Sequence, residues 1–557
     1  MKVCLPILAV LISFSYGTDG KDPLRTSACA LYDVTQQKFV IKDGYKSECI
    51  VSGQFIDSGN TTGWGELGVK SVDTSRIWDD SAMAYAAGLV EGYLTKTLIE
   101  QYYFNTLATY CPYTLPWTPY CSQLNKYLIS NLDWVRGMIK DNPQDPYWYQ
   151  VRLFYEQLAG LEDGYKNTPG QVHLDIDVFG LFLMQINDDL GDLEKVLGKP
   201  GVGNTRPIGH CSALVKLLPE YDLLTSHDTW SGYNTMLRIL KVYDLPYYTT
   251  VQKTEKIAGS SISFSSYPGY LYSSDDYYIT SARMIVMETT NPTNNLTLFH
   301  GLKPEGIVME GIRNQVANRM ANSGLEWTQI FSKYNSGTYN NQWMVVDYKQ
   351  ITELPPARLL MVLEQIPGYI HYEDQTELLM KKGYWSSFNR IYYPDVFERS
   401  GEQELIDKYG DYFTHDKTSR ALIFDRDQGS VHDMPSLFKL MRYNDYTKDP
   451  LSRCNCTPPY SANLAIMMRG DLNPTDGVYP FSELGRALEG GIDTKASSLL
   501  YVKELSFFAQ NGPTSDDQAP FKWSDIPTSE QPPHTGQPDL FDFPVISFNV
   551  SNVLNTF

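Results

Sequence analysis

The sequence predicts an α+β fold in which helices pack over antiparallel sheets. Three observations lead there. Apolar residues recur at helical spacing through most of the first two hundred positions, strand-like runs cluster after position 211, and further helical stretches flank and interrupt that cluster.

Taken in order, a Gly-rich, strand-like opening gives way to IWDDSAMAYAAGLVEGYLTKTLIEQYYF, PYWYQVRLFYEQLAGLEDGY and IDVFGLFLMQINDDLGDLEKVLG, each with apolar residues on one helical stripe. A polar, Gly/Pro-rich connector, KPGVGNTRPIGH, reads as an exposed loop. Beyond it, CSALVKLLPEYDLLTSHDTW predicts two short strands turning at Pro219 and Glu220, and SGYNTMLRILKVYD predicts a helix. SISFSSYPG, DDYYITSARMIVMETT, NQWMVVDYK and RLLMVLEQI are strand candidates, with one helix across GIRNQVANRMANSGLEWTQIFSKY. The last forty-odd residues, including PTSEQPPHTGQPDLFDFP, predict extended surface chain.

The opening MKVCLPILAVLISFSYG places Lys2 before an apolar run and small residues at Ser15 and Gly17, the pattern of a signal peptide over 1–17 that is removed to leave Thr18 first. The run is too short to span a bilayer, and no later stretch is long enough, so a soluble, exported protein is expected. The composition is globular, with 42% hydrophobic residues. A net charge of -19 without any Lys/Arg block argues against nucleic acid or a strongly anionic membrane as partner.

Of eight cysteines, Cys4 leaves with the signal, and an odd number in an oxidising compartment implies pairs plus one free thiol. Cys111 with Cys121, and Cys454 with Cys456, are close enough to close local loops; Cys29 with Cys49 is a plausible third pair, which leaves Cys211. Sequence alone leaves other pairings open. Sequons at Asn60, Asn295 and Asn549 fit a glycoprotein, whereas the one at Asn455 would be blocked by a Cys454–Cys456 bridge.

GxSxG, HExxH, P-loop and GxGxxG motifs are absent, and the eight His have no metal-ligand spacing, so neither metal nor cofactor is expected. Asp275 and Asp276 read as a solvated turn. Cys211 stands apart, at the first residue of a buried-looking strand after a flexible connector. Its thiol is placed to attack the His210 carbonyl, shift the acyl group from nitrogen to sulfur, and let water cut the chain. The freed α-amine, with a reference pKa of about 8, then serves as the thiol's own base. The predicted hairpin brings residues 227 to 230 alongside, with His227, Asp228 and Trp230 as nearest candidates.

GHCSALVKLLPEYDLLTSHDTWSGYNTMLRILK, SFSSYPGYLYSSDDYYITSARMIVMETTN, FSKYNSGTYNNQWMVVDYK, LEQIPGYIHYEDQTELLMKKGYWSSFN, FDRDQGSV and MRYNDYTKDPLSRCNC together resemble the phospholipase B-like (lamina-ancestor) family. The resemblance implies an N-terminal nucleophile hydrolase with an αββα four-layer sandwich, secreted or lysosomal, and cut from a precursor into 18–210 and 211–557, which together form one domain. Carried over by motif, it implies Cys211 as nucleophile, supported by His227 and Trp230 of HDTW, Thr290 of METT, Asn389 of YWSSFN as oxyanion donor, and Arg420 of SRALIFDRDQG. Related cysteine amidases such as bile-salt hydrolases carry Arg and Asp where this chain has His227 and Trp230, so their substrate preference does not carry over. The implied activity is release of fatty acid from glycerophospholipid through a Cys211 thioester. The rivals are an amidase or peptidase of the same fold, acting on another acyl substrate, and a non-catalytic secreted glycoprotein.

Overall fold

The computed structural model describes residues 24–554 apart from 74–76, 112–115, 202–210, 220–221, 292 and 353–354. The signal-like opening, His210 and Glu220 therefore lie outside the described residues.

Before the connector, β1 (Leu24–Asp33), β2 (Lys38–Asp43), β3 (Val51–Ser58) and β4 (Trp64–Ser71) pair antiparallel. After it, β5 (Cys211–Leu217) and β6 (Leu223–Gly232) form the expected hairpin. There follow β7 (Arg238–Asp244), β8 (Ser261–Ser266), β9 (Tyr277–Thr280), β10 (Met284–Thr290), β11 (Asn341–Asp347), β12 (Leu360–Ile366), β13 (Tyr369–Asp374) and β14 (Tyr384–Ser387). Near the C-terminus come β15 (Glu489–Gly491), β16 (Asp493–Ser498), β17 (Phe507–Asn511), β18 (Phe521–Lys522), β19 (Leu540–Phe541) and β20 (Ile546–Phe548).

An eleven-stranded sheet runs β13-β12-β11-β10-β9-β8-β7-β4-β3-β1-β2, and a seven-stranded one runs β14-β5-β6-β16-β17-β20 with β15 on β6. One ladder, β4 with β7, is parallel. It joins strands from before and after the connector, so neither segment completes the large sheet alone. The helix predicted at SGYNTMLRILKVYD is instead a 3-10 turn at Tyr233–Thr235 followed by β7. Pairing with β4 on one side and β8 on the other satisfies the β7 backbone, and this outweighs a local helical spacing.

Alternation of side chains sorts the apolar residues into layers. Leu67, Ile239, Phe264, Val286 and Trp343 of the large sheet pack with Tyr85, Leu89, Phe154 and Ile312 of the helices. Its other face contributes Trp64, Leu240, Ile279, Met287 and Met344, which meet Ala213, Val215, Phe507 and Phe548 of the small sheet. The outer face of the small sheet carries Leu214, Leu224, Ala496 and Phe508 against Ile423, Phe424, Leu437 and Met441. The result is a mixed fold of large sheets and helices, in line with the α+β class.

The helices Asp80–Leu94 and Pro146–Lys166 approach closely because Gly88 and Gly92 face Gly160 and Gly164. A Cβ at Gly160 would strike the Tyr85 carbonyl, and one at Gly88 the Gln157 carbonyl, so backbone would have to move. Gly160→Ala is expected to cost about 1–3 kcal/mol despite the better helix propensity of Ala, read as a lower urea midpoint. The long helix expected across GIRNQVANRMANSGLEWTQIFSKY is two, Glu310–Met320 and Gly324–Phe331, the second capped by Ser323 Oγ on the Glu326 N–H.

Two further expectations are corrected. Asp275 and Asp276 are fully buried, not solvated, because Arg238 pairs with the first and Asn314, Tyr278 and Tyr339 bond the second. The C-terminal stretch is extended but anchored, since Phe521, Trp523, Phe541 and Phe548 are buried. Disulfides join Cys29 to Cys49, Cys111 to Cys121 and Cys454 to Cys456, as expected of an oxidising compartment. Among the described residues no helix is long and apolar enough to cross a membrane.

Candidate active site

Cys211, free and 3% exposed, begins β5 between β14 and β6. The register sets Cys211 opposite Thr229, Ser212 opposite Asp228, and Ala213 opposite His227. Cross-strand partners share a face and neighbours alternate. Cys211, Ala213, His227 and Thr229 therefore lie on one face, while Ser212, Asp228 and Trp230 lie on the other.

Two side chains distant in sequence grip the backbone of Cys211. Asn389 Oδ1 accepts the Cys211 N–H at 3.3 Å. Arg420 Nη1 donates to the Cys211 carbonyl at 2.5 Å and to Ser212 Oγ at 3.2 Å, and its Nη2 donates to Asn389 Oδ1 at 2.8 Å. The guanidinium lies 4.2 Å from the Trp230 ring centroid, so Trp230 supports Arg420 from the outer face. Burial, with Arg390 nearby, pulls Arg420 down to about 9.

Asn389 follows β14 with φ of +65°, a left-handed conformation that Asn tolerates better than most residues. Its Nδ2 donates to the Thr290 carbonyl at 2.7 Å, and its backbone N–H to Thr289 Oγ1 at 3.4 Å. The amide therefore turns its oxygen, not its nitrogen, to Cys211. Thr290 joins the site through its carbonyl; the hydroxyl next to Asn389 belongs to Thr289, which also bonds Ser387 Oγ at 2.6 Å.

His227 is fully buried, and its Nε2–H donates to the Glu288 carbonyl at 2.8 Å. Burial and the nearby Lys495 charge hold it well below the usual imidazole range, so it is neutral. The Cys211 thiol points to Glu288 Oε1 at 3.8 Å. Burial, then the Glu288 charge, push the thiol well up, while burial and Asp276 push Glu288 well up. Tyr339 Oη lies 3.1 Å from both Glu288 Oε1 and Asp276 Oδ2 and links the two carboxyls.

Sequence reasoning missed Glu288, Tyr339, Thr229 and Lys495. Lys495 sits opposite His227 across the β6–β16 ladder and donates to Thr229 Oγ1 and, at 2.6 Å, to Asp493 Oδ1. The available signal was an ionisable residue inside an otherwise buried strand, Glu288 in MIVMETT and Lys495 in DTKASS, since such groups are almost never fully buried without a partner or a task.

The sequence profile described as Phospholipase B matches residues 51–548. Phospholipase B-like 2 of Mus musculus is 42% identical over 530 residues, 94% of this chain and 88% of the mouse protein. Phospholipase B-like 1 of Caenorhabditis elegans is 42% identical over 514 residues, 90% of this chain and 87% of the worm protein. Phospholipase B-like protein B of Dictyostelium discoideum is 35% identical over 525 residues, 92% of this chain and 87% of its own length.

Proposed function

This chain belongs to the phospholipase B family, and from that premise we propose that it is an acyl hydrolase of the N-terminal nucleophile type, with Cys211 as nucleophile. The observation that carries the reading is the single unpaired cysteine of the described residues at the first position of a buried strand, with its nitrogen held by Asn389 and its carbonyl by Arg420. The layer order of helices, sheet, sheet and helices supports the αββα sandwich.

In the maturation step, Cys211 Sγ attacks the His210 carbonyl carbon, the peptide C–N bond breaks, and the Cys211 nitrogen takes up the thiol proton. Water then hydrolyses the thioester, which frees the His210 carboxylate and regenerates the thiol. Residues 18–210 and 211–557 stay together as one domain, because β4 pairs with β7 and Lys241 of the second piece is buried 2.7 Å from Glu91 of the first.

In turnover the new α-amine, held by Asn389 Oδ1, draws the proton from Sγ, and the thiolate attacks the ester carbonyl of a glycerophospholipid. The second Nδ2 hydrogen of Asn389 is left for the oxyanion, and the departing alcohol takes the proton. Water releases the fatty acid from the thioester. Arg420 fixes the nucleophile's backbone, and His227, neutral and tied to Glu288, packs beside it. Export to the cell exterior or a lysosome-like compartment, with glycans at Asn60, Asn295 and Asn549, suits the three disulfides.

Asn389→Ala removes both the amine acceptor and an oxyanion donor, and is expected to lower kcat about 10²–10³-fold in a fatty-acid release assay, with a smaller effect on KM. Offering the cut protein phospholipids and N-acyl amides side by side tests the substrate class. Fatty acid from the phospholipid is expected; turnover of amides alone would overturn the lipid reading.

A further inference from the structure

We propose that Cys211, His227 and Glu288 form a binding site for a thiophilic divalent cation of the Zn²⁺ class, which holds the thiol as a metal thiolate and blocks it as a nucleophile. The three residues come from β5, β6 and β10, so no spacing in the sequence foretells the set. All three are buried, and Cys211 Sγ, a ring nitrogen of His227 and a carboxylate oxygen of Glu288 lie within 4.8 Å of one another. The bond lengths of a tetrahedral zinc ion put sulfur and oxygen donors about 3.5 Å apart, and Sγ and Glu288 Oε1 are already 3.8 Å apart.

Two donor atoms have no other task. His227 Nδ1 and Glu288 Oε2 are buried without a hydrogen-bond partner, a costly arrangement that a bound cation would relieve. The supporting contacts are those that metal ligands use. His227 gives its other N–H to a backbone carbonyl, which fixes the ring and leaves Nδ1 as a lone pair, and Glu288 Oε1 receives Tyr339 Oη. A thiolate, an imidazole and a carboxylate favour zinc over calcium or magnesium, which prefer oxygen throughout. Binding expels the thiol proton and the proton of Glu288, and the resulting two negative charges match the dication. Three protein donors leave a fourth position to water or, in the cut chain, to the Cys211 amine.

These donors are present whether or not the chain is cut, so the site stands apart from the maturation step. Co²⁺ is the direct probe, because a cobalt–thiolate bond gives a near-ultraviolet charge-transfer band that oxygen and nitrogen ligands do not. Metal-free full-length protein is expected to show that band, to bind one Zn²⁺ per chain in equilibrium dialysis, and to alkylate at Cys211 at least tenfold more slowly with Zn²⁺, with recovery on adding chelator. Cys211→Ser should abolish the band, and Glu288→Gln should weaken Zn²⁺ binding about 10–100-fold. Absence of the band in the wild-type protein, or Zn²⁺ protection of Cys211 unchanged in Glu288→Gln, would overturn the proposal, and the wild-type readouts decide it even where a variant fails to fold. N-terminal sequencing of the same sample reports the cut separately.

Discussion

Asp493→Asn is expected to cost about 3–5 kcal/mol of folding stability, a large part of what a domain has to spare. Asp493 is the hinge of a fully buried set of two cations and two anions. It lies 2.7 Å from Arg238 Nη1 and 2.6 Å from Lys495 Nζ, while Asp275 also pairs with Arg238 and lies 4.0 Å from Lys495. Arg238 is further packed on the rings of Trp64 and Tyr267, at 4.9 Å and 4.4 Å from their centroids. Neutralising one anion leaves an uncompensated positive charge without water. Asp493 Oδ1 also accepts the Thr229 N–H at 3.1 Å, directly across from Cys211, so the surviving fold should process and turn over more slowly. Burial alone would raise Asp493, but Lys495 and Arg238 prevail and hold it at about 2, below its usual 3.8. A depressed carboxyl stabilises at pH above its unfolded value and is lost only as pH falls through the folded one, here about 2, so the set persists in an acidic compartment. Urea unfolding of both proteins at pH 5 and pH 7 measures this. A difference under about 1 kcal/mol would show that the charges are not the brace described.

The wild-type protein is expected to be more stable at pH 6 than at pH 8, by about 1 kcal/mol or more. Asp188 is pushed up to about 6 and Asp189 to about 7, chiefly by burial, and burial with Asp276 drives Glu310 well up. Both carboxylate oxygens of Glu310 lack hydrogen-bond partners. A raised carboxyl is protonated in the folded chain at pH values where the unfolded chain has lost that proton. Stability then falls as pH rises from the unfolded value to the folded one, at about 1.4 kcal/mol per pH unit for each such group. Buried neutral His227 and His415 work the other way, but only as pH drops below about 6.5. A thermal midpoint at pH 8 equal to or above that at pH 6 would contradict the buried, protonated state of the cluster. The expected profile suits a lysosome-like destination.

Much of this was legible in the sequence where local rules decide. Helical stripes marked Asp80–Leu94 and Pro146–Lys166, and the turn at Pro219 marked the β5–β6 hairpin that sets Cys211 and His227 on one face. The odd cysteine pointed to Cys211 itself. The sequence was silent where long-range pairing decides. β7 takes its conformation from a parallel partner more than 160 positions away, against its local spacing. Asp275 and Asp276 resemble a surface turn until Arg238 is brought to them, and Glu288 becomes a neighbour of Cys211 only when β10 crosses the inner face of β5 and β6. Asn389 was found by motif, but which end of its amide faces Cys211 depends on Arg420 and the Thr290 carbonyl, contacts that no spacing encodes.

N-terminal sequencing with intact-mass measurement of the purified wild-type protein, beside Cys211→Ala, bears most directly on the central proposal. The expected result is a second N-terminus reading CSALVKLLPE in the wild type, both fragments co-purifying, and a single uncut chain without acyl-hydrolase activity in the variant. Fully active wild-type protein in which residues 210 and 211 are still joined would contradict it.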